Sequence, residues 1–264
     1  MNLEPFLSLL PTASLVVGSA MFCLWVTSLF INDVSIVDIA WGLGFVVLGW
    51  LGWLQLEEPS VRQTLVLVLV TIWGSRLGFY LARRNLGHGE DYRYTQIRNS
   101  IGPFFRISSL WIVFGMQGTV MLLVASPVLF VMGSPEATAP LGFTDYLGLS
   151  LWAIGFYFEA VGDWQLKRFK ADPVNKGKVM NQGLWRYTRH PNYFGDSCLW
   201  WGFFVIAAGI GGLWTIIGPI MMTFFLLKVT GVLMLEKTMR KREKYKEYIE
   251  TTSTFFPMPP KRPS

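Results

Sequence analysis

The sequence predicts an all-α membrane protein whose seven transmembrane helices form a single domain over residues 1–264. Of these residues, 52% are hydrophobic and only 15% are charged, whereas a soluble domain carries about 25% charged residues. The mean hydropathy is +0.40, and the 12 Trp suit the ring-rich borders of a membrane. At roughly 20 residues per span, the chain has no room for a separate soluble domain.

Seven apolar segments are separated by short polar or glycine-rich breaks. Asn32-Asp33 separates the first two, Arg83-Arg84 ends the third, and Gly211-Gly212 marks the turn before the last. The predicted spans are about 10–31, 35–55, 62–82, 107–132, 142–163, 192–211 and 213–235. A charged tail, residues 236–250, is predicted to continue as a helix beyond the membrane.

The basic residues predict the orientation. Lys and Arg concentrate in segment 83–106, segment 164–190 and the tail, whereas the connections 133–141 and 209–213 contain none. With seven spans all three basic segments fall on one face, which the positive-inside rule makes cytoplasmic. The N-terminus is then outside and the C-terminus inside. Six or eight spans would break this agreement.

The same charge map argues against other classes of partner. A net charge of +6 can indicate nucleic acid, but in a membrane protein it is typical of cytoplasmic loops, so no nucleic-acid partner is expected. Cys23 and Cys198 both lie in apolar stretches, and the chain has only two His, so no metal centre is predicted. Membrane lipids are the expected surroundings, in the inner or plasma membrane if the protein is bacterial.

Charged residues within the spans indicate function by default, because burying a charge in a membrane is costly. They are Asp38, Arg76, Glu159, Asp163, Asp196, Lys228 and Glu236. Internal pairing that fixes helix register is the alternative. Most of the set lies near the predicted cytoplasmic ends, together with about a dozen cations. This arrangement favours a polar pocket for a charged ligand.

The most specific stretch is residues 181–196, NQGLWRYTRHPNYFGD. Arg186, Arg189 and His190 can bind phosphate or carboxylate groups, and arginine does so with two parallel hydrogen bonds. Pro191 suits the first turn of a helix, whose free N–H groups attract anions. Asn192 and Asp196 are four residues apart and therefore share one helix face. A basic membrane edge without a ligand is the alternative.

Two earlier stretches offer candidate catalytic groups. Residues 78–94 contain Tyr80 and Tyr94, which can donate to an oxygen atom, although such rings also anchor proteins at membrane borders. Residues 34–44 contain Asp38 in an apolar setting, which favours the protonated carboxyl group and a role as proton donor. No G-x-G-x-x-G follows a strand, so the usual dinucleotide folds are excluded.

Residues 183–196, Glu236 and the tail with Tyr245, Tyr248 and Phe256-Pro257 resemble the C-terminal half of the steroid 5α-reductase superfamily. Nearly the whole chain is similar to a bacterial-type branch, a domain of unknown function related to 3-oxo-5α-steroid 4-dehydrogenase. Sterol reductases belong to the same superfamily, and isoprenylcysteine carboxyl methyltransferases are more distant relatives. The resemblance implies seven helices with NADPH buried at the cytoplasmic side, at the inner ends of spans three, five, six and seven.

The resemblance also implies site residues. About residues 1–133 would form the substrate side and about 142–255 the cofactor-binding half. The cofactor contacts implied by position are Asp163, Lys170, Lys178, Asn192, Phe194 and Asp196. Further cofactor contacts are expected from nearby residues whose side chains have suitable chemistry: Lys167, Arg186, Arg189, His190, Tyr193, Glu236 and Tyr248. The steroid enzymes pair a glutamate of the second helix with a tyrosine of the third, whereas here the second helix offers Asp38 and the tyrosine position is Trp73.

The expected function is an NADPH-dependent reductase of an enone-type carbon–carbon double bond in a steroid-like or other lipidic substrate, which would enter from the bilayer. Asp38, with Tyr80 or Tyr94, would hydrogen-bond the carbonyl oxygen. One alternative is an S-adenosylmethionine-dependent methyltransferase of the isoprenylcysteine carboxyl type, which needs no phosphate-binding cations. A second is a non-enzymatic transport or lipid-binding protein, which predicts an internal repeat that the sequence does not show.

Overall fold

A computed structural model gives the fold of residues 4–229, 231–241 and 243–261. Every regular element among these residues is helical, and helices make up 79% of the structure, which confirms the all-α prediction. The α-helices are α1 Glu4–Ile31, α2 Ile36–Trp53, α3 Val61–Asn85, α4 Tyr92–Ile101, α5 Phe105–Ser109, α6 Met116–Val124, α7 Ser126–Gly133, α8 Phe143–Ala171, α9 Pro191–Ala208, α10 Ile217–Phe224, α11 Val232–Met239 and α12 Glu243–Thr251. Two π-helical turns, Leu110–Gly115 and Phe225–Val229, interrupt the later ones.

Among the described residues, five helical stretches are long and apolar enough to cross a membrane, which is compatible with an integral membrane protein. They are Phe6–Ile31, Ile36–Trp53, Val61–Asn85, Tyr92–Val124 and Leu213–Lys237. The helices α8 and α9 lie where the fifth and sixth spans are predicted, but they carry more polar residues. The count of seven spans and the orientation of the termini therefore stay predictions.

The first three helices begin and end close to the predicted borders. Asn32, with a φ of 55°, makes the break between α1 and α2. The start of α3 is fixed by Ser60, whose side chain accepts from the Gln63 N–H while the Gln63 side chain accepts from the Ser60 N–H. The fourth predicted span differs from the structure, because its helical stretch begins at Tyr92 and stops at Val124. Proline cannot continue a helix without breaking a backbone hydrogen bond, and Pro127 opens the separate helix α7.

The chain divides into two compact units. Unit 1 comprises residues 1–142 and 207–218, and unit 2 comprises residues 143–206 and 219–264. In unit 1, α2 crosses α3 at Gly42 and Gly74, where a Cβ on either residue would lie within 2.6 Å of the other residue's carbonyl oxygen. The core of unit 1 is apolar and contains Phe45, Trp73 and Phe114.

In unit 2, α8 and α9 also cross through glycines. Gly148 faces Gly202, and Gly155 faces Gly195, each pair without room for a side chain. Close backbone approach of this kind is typical of helices that pack within membranes. The buried stripe of α8 also carries Glu159 and Asp163, so the crossing places carboxylates against the first turns of α9.

Candidate functional site

The first polar cluster lies in unit 1, where the start of α2 meets the start of α4. We call Asp38, Asp91, Arg93, Tyr94 and Gln117 the Asp38 cluster. The Tyr94 hydroxyl donates to Asp38 Oδ1 at 2.7 Å, and Arg93 Nη2 donates to Asp38 Oδ2 at 2.7 Å. Gln117 Nε2 donates to the Tyr94 hydroxyl at 3.2 Å, and Arg93 Nε also binds Asp91 Oδ1 at 3.0 Å. One carboxylate therefore binds a phenol and a guanidinium, in an ordered chain of hydrogen bonds.

The structure gives Asp38 polar partners, whereas the sequence suggests a lone carboxylate in an apolar setting. Its side chain is 15% exposed, but the Arg93 guanidinium supplies a counter-charge at ion-pair distance. An adjacent cation favours the ionised carboxylate, whereas burial favours the protonated one. The role of Asp38 as a proton donor therefore stays a prediction. Tyr94, which is 8% exposed, carries the proton of the pair.

The loop between α3 and α4 is tied to the turn before α2. The Asp91 N–H donates to Ser35 Oγ at 3.4 Å, and Glu90 Oε1 accepts from the Val34 N–H at 3.0 Å. The Asp91 side chain then caps α4 by accepting from the Arg93 N–H. Because the same loop positions both helix starts, Arg93 and Tyr94 reach Asp38 from a region 55 residues further along the chain.

Two acidic residues of this loop are held ionised. Burial alone would raise the pKa of Glu90, but the Arg98 guanidinium, bound to both carboxylate oxygens at 2.6 and 2.8 Å, lowers it overall. The pKa of Asp91 is lowered in the same way, because hydrogen bonds from Arg93 outweigh the effect of burial. The loop thus holds its charges in neutralised pairs.

A cavity of about 270 Å³ lies beside the Asp38 cluster in unit 1. Apolar side chains form one part of its wall, and polar side chains form another. Ser35 and Ile39, which flank Asp38 within three residues, are part of the lining. The lining residues are Ile31, Asn32, Asp33, Ser35, Ile36, Ile39, Asn85, Leu86, Gly87, Gly89 and Glu90.

Tyr80, the other predicted catalytic tyrosine, has different surroundings. It lies on α3, where Arg76 and Arg84 stand over its ring at 5.2 and 6.0 Å. The structure therefore pairs Asp38 with Tyr94 and places Tyr80 among cations. Of the two tyrosines, Tyr94 is the one hydrogen-bonded to the candidate carboxylate.

The second polar cluster lies in unit 2 and centres on Glu236, which is buried. Arg189 is 4% exposed, and its Nε binds Glu236 Oε1 at 2.6 Å. Its Nη1 donates to the carbonyl oxygens of Ile249 and Thr252, at 3.1 and 2.5 Å, and its Nη2 donates to Thr254 Oγ1 at 2.7 Å. Four of the five N–H donors of this side chain are thus used within the protein.

His190 belongs to the same network. Its Nε2 lies 3.4 Å from Glu236 Oε1, and its ring stacks on the Tyr193 ring with centroids 5.6 Å apart and planes 4° apart. Arg240 approaches the other oxygen of Glu236 at 3.3 Å. One carboxylate therefore joins the loop before α9 to the end of α11.

The start of α9 carries the remaining polar contacts. The helix begins at Pro191, as the sequence predicts, and Asn192 Nδ2 donates to Asp163 Oδ1 of α8 at 3.1 Å. Asp196 lies one turn further along α9. Phe194 packs edge-on against Phe158, with ring centroids 5.1 Å apart. Asn192, Phe194 and Asp196 are all partly exposed.

The predicted cofactor-binding residues fall into an exposed group and a buried group. Lys167, Lys170, Lys178 and Arg186 are exposed, and their cationic groups are of the kind that binds phosphate oxygens. Arg189, His190, Asp163, Glu236 and Tyr248 are buried. The Tyr248 hydroxyl donates to the Trp185 carbonyl oxygen, and burial raises the pKa of Tyr248. The donor set of unit 2 fits an anionic ligand at its exposed cations.

Comparison with known proteins shows the family. Residues 24–252 match the family described as "Protein of unknown function (DUF1295)". The chain belongs to the DUF1295 family. DUF1295 is part of the steroid 5α-reductase-like superfamily, so the resemblance is confirmed at the level of the superfamily.

Two curated relatives are similar to this DUF1295 protein over part of their length. The uncharacterized protein C594.04c of Schizosaccharomyces pombe is 28% identical, over 70% of this chain and 60% of the relative. The probable O-methyltransferase ustE of Ustilaginoidea virens is 37% identical over 62 residues, which is 24% of this chain and 22% of the relative. The chain thus spans less than two thirds of each relative. No solved structure gives a significant match.

Sequence reasoning missed several members of the two clusters in this DUF1295 protein. Gln117 has a signal in the sequence, because it is an amide within an apolar predicted span. In the structure it lies two residues after a π-helical turn. Such turns are rare and frequently lie at functional sites. Arg93 is one of several cations in segment 83–106, and nothing in the sequence distinguishes it from the others. The contacts of Thr252 and Thr254 with Arg189 had no sequence signal, since a polar tail residue is ordinary.

Proposed function

We propose that this protein is an NADPH-dependent reductase of an enone-type carbon–carbon double bond in a steroid-like or other lipidic substrate. The observation that carries the proposal is the Asp38–Tyr94 hydrogen bond of 2.7 Å. A carboxylate paired with a tyrosine can hold a carbonyl oxygen and stabilise negative charge that develops on it. Membership of the steroid 5α-reductase-like superfamily supports the same reaction class.

The Asp38 cluster would act on the oxygen of the substrate. The Tyr94 hydroxyl has a single proton, which it donates to Asp38 in this structure and would donate to the carbonyl oxygen of a bound substrate. Gln117 Nε2 has a second N–H beside it. Arg93 binds one oxygen of Asp38, and the other oxygen orients the phenol by accepting its hydrogen bond. Tyr94 would keep its proton and stabilise the enolate oxygen by a hydrogen bond, and the one proton that the product needs at its α-carbon would come from water.

Unit 2 would hold the cofactor. The exposed cations Lys167, Lys170, Lys178 and Arg186 would bind the pyrophosphate and the 2′-phosphate. Asn192, Phe194 and Asp196 on the first turns of α9 would contact the remaining groups. When bound, NADPH would supply a hydride to the β-carbon of the enone and leave as NADP⁺, while a proton at the α-carbon completes the saturated product.

The proposal includes a membrane arrangement. The helices α8 and α9 would complete seven spans together with the five apolar stretches, with the N-terminus outside and the C-terminus inside. A lipidic substrate would then enter from the bilayer. A cysteine-accessibility map of the connections 133–141 and 172–182 would test this, because the proposal requires them on opposite sides of the membrane.

Thermal stability in mild detergent tests the cofactor. A ligand at about 100 times its Kd stabilises the folded state by about 2.7 kcal/mol. For a chain of this size, that corresponds to a rise in Tm of roughly 5–10 °C. NADPH is expected to give this shift, and S-adenosylmethionine is expected to give none. Stabilisation by S-adenosylmethionine alone would contradict the reductase proposal.

Charge variants show whether the exposed cations hold the cofactor. Replacing Lys178 or Arg186 by Gln should each weaken NADPH binding about tenfold, because each removes a contact to a phosphate. Lys246→Gln is the matched control, since Lys246 is equally cationic but pairs with Glu243 on α12. Equal losses in all three variants would show a nonspecific charge effect.

A second candidate is an S-adenosylmethionine-dependent methyltransferase. The 37% identity with a probable O-methyltransferase over 62 residues favours it. The methyl donor carries no phosphate, so Lys178→Gln and Arg186→Gln would leave its binding unchanged. If neither cofactor changes the Tm of the wild-type protein, a non-enzymatic lipid-binding or transport role is favoured instead.

A further inference from the structure

The loop before α9 has few hydrogen bonds of its own. Residues 181–190 contain only one short 3₁₀ turn, Gly183–Arg186, and the chain stays irregular up to Pro191. Buried backbone N–H and C=O groups need partners elsewhere when they are outside regular structure. In this protein several of the partners come from the C-terminal segment, about 60 residues later.

Four hydrogen bonds join the loop to residues 248–258. They are the Tyr248 hydroxyl to the Trp185 carbonyl, the Met258 N–H to the Tyr187 carbonyl at 2.9 Å, the Thr188 hydroxyl to the Phe255 carbonyl at 2.8 Å, and the Arg189 N–H to the Ser253 carbonyl at 2.8 Å. Thr188 is fully buried. The C-terminal segment thus covers the loop along most of its length.

The side chain of Arg189 stabilises these contacts between the loop and the C-terminal segment. It binds Glu236 of α11, the carbonyl oxygens at the end of α12 and the hydroxyl of Thr254. A guanidinium presents its donors in a planar fork, which a lysine ammonium cannot reproduce. Arg189 therefore connects three separate parts of unit 2, and it is 4% exposed.

We propose that the segment 252–258 is a strap that positions the loop 183–190, and that Arg189 is a positioning residue rather than a phosphate ligand. The second part rests on the proposed function, because it concerns the cofactor of that reaction. A loop held in its binding conformation loses less entropy when the ligand binds. The strap would therefore set cofactor affinity without contacting the cofactor.

Hydrogen exchange of the full-length protein, without ligand, tests the strap. In Arg189→Lys, which keeps the positive charge beside Glu236, peptides covering 183–190 and 252–258 should exchange about tenfold faster, and both should change together. Arg186→Lys is the matched control in the same loop, since Arg186 is exposed, and it should leave both rates unchanged. Peptides of α8 away from the loop should not change in either variant.

A milder variant keeps the test valid if Arg189→Lys unfolds the whole protein. Tyr248→Phe removes a single hydrogen bond and should speed exchange of the same two peptides by a few-fold. If Arg189→Lys and Tyr248→Phe both leave the two peptides unchanged, there is no strap. Exchange without ligand decides this even if the wild-type protein binds no NADPH.

The role of Arg189 is tested by NADPH affinity. A positioning residue predicts that Arg189→Lys weakens NADPH binding in proportion to the opening of the strap, and that NADPH slows exchange of 252–258 in the wild-type protein. Loss of affinity without any change in exchange would make Arg189 a direct ligand and overturn the proposal. If wild-type NADPH binding is absent, the proposed function fails, and the exchange result still stands.

Discussion

A single methyl group at Gly195 should separate α9 from α8. A Cβ built at Gly195 would lie 2.4 Å from the Glu159 nitrogen and 2.4 Å from the Gly155 carbonyl oxygen, whereas ordinary contact begins at 3.4 Å. Both atoms belong to the backbone of α8, so no side chain can rotate away. Gly195→Ala therefore requires the helices to move apart by about 1 Å.

The movement also affects the candidate site. Asn192 lies one turn before Gly195 on α9, and its hydrogen bond to Asp163 is 3.1 Å long. An added separation of about 1 Å would stretch it beyond the range of a hydrogen bond. Overpacking of this kind costs about 1–3 kcal/mol, which for a chain of this size lowers the Tm by roughly 2–10 °C. The variant should lose stability and weaken any ligand bound at Asn192.

Thermal unfolding in detergent measures the change, and Gly18→Ala is the matched control. Gly18 lies within α1, and a Cβ there would meet nothing within 4 Å. Alanine is the better helix former, so this variant should be neutral or slightly more stable. An unchanged Tm in Gly195→Ala would refute the close crossing of α8 and α9.

Three further predictions concern the titratable groups. Asp38→Asn and Tyr94→Phe should each abolish NADPH-dependent reduction of a 3-oxo-Δ4 steroid probe while preserving the NADPH-induced rise in Tm, and retained turnover in both would exclude the Asp38 cluster. Burial, with the charge of Glu236, raises the pKa of Tyr245 from 10.0 to about 12, so the folded protein binds this proton more tightly than the unfolded chain. The stability that this bound proton contributes is present below pH 10 and is lost as the pH rises toward 12. Tyr245→Phe should therefore show a smaller alkaline loss of Tm in thermal unfolding curves. The lowered pKa of Glu90 has the opposite sign: its contribution is present above pH 4.5 and lost as the pH falls through the lowered value, and Glu90→Gln should show a smaller acid-induced loss of Tm.

The pattern of apolar runs and the polar breaks between them predicted most of the helices. The first three spans were placed within a few residues of α1, α2 and α3, because each is a continuous apolar run ended by a polar break. The fourth was misplaced, since the helical stretch starts with α4, whose sequence YRYTQIRNSI is mostly polar. The capping contact of Asp91, the tertiary contacts of Tyr94 and the ion pairs of Arg93 and Arg98 stabilise a helix there.

The candidate residues were predictable by type, but their partners were not. Asp38 and Tyr94 stand out in sequence as a carboxyl group and a phenol near the same predicted membrane edge. Nothing in the sequence pairs Asp38 with Arg93, because that contact depends on a loop conformation fixed by Ser35 and Glu90. The partners of Asp38 were consequently not predictable from the sequence, although its place at the start of α2 was.

The buried pairs also change how the charge of this protein should be counted. The basic segment 164–190 carries seven cations, which together favour a phosphorylated ligand. Arg189 is committed to Glu236 and to the tail, so it adds no accessible charge for a ligand. A cation neutralised within the protein contributes little to the attraction of an anion, whereas exposed cations stay available to bind one. The choice between NADPH and S-adenosylmethionine therefore depends on the exposed lysines and Arg186, and charge-removing variants at those positions separate the two cofactors more sharply than the total charge of the loop does.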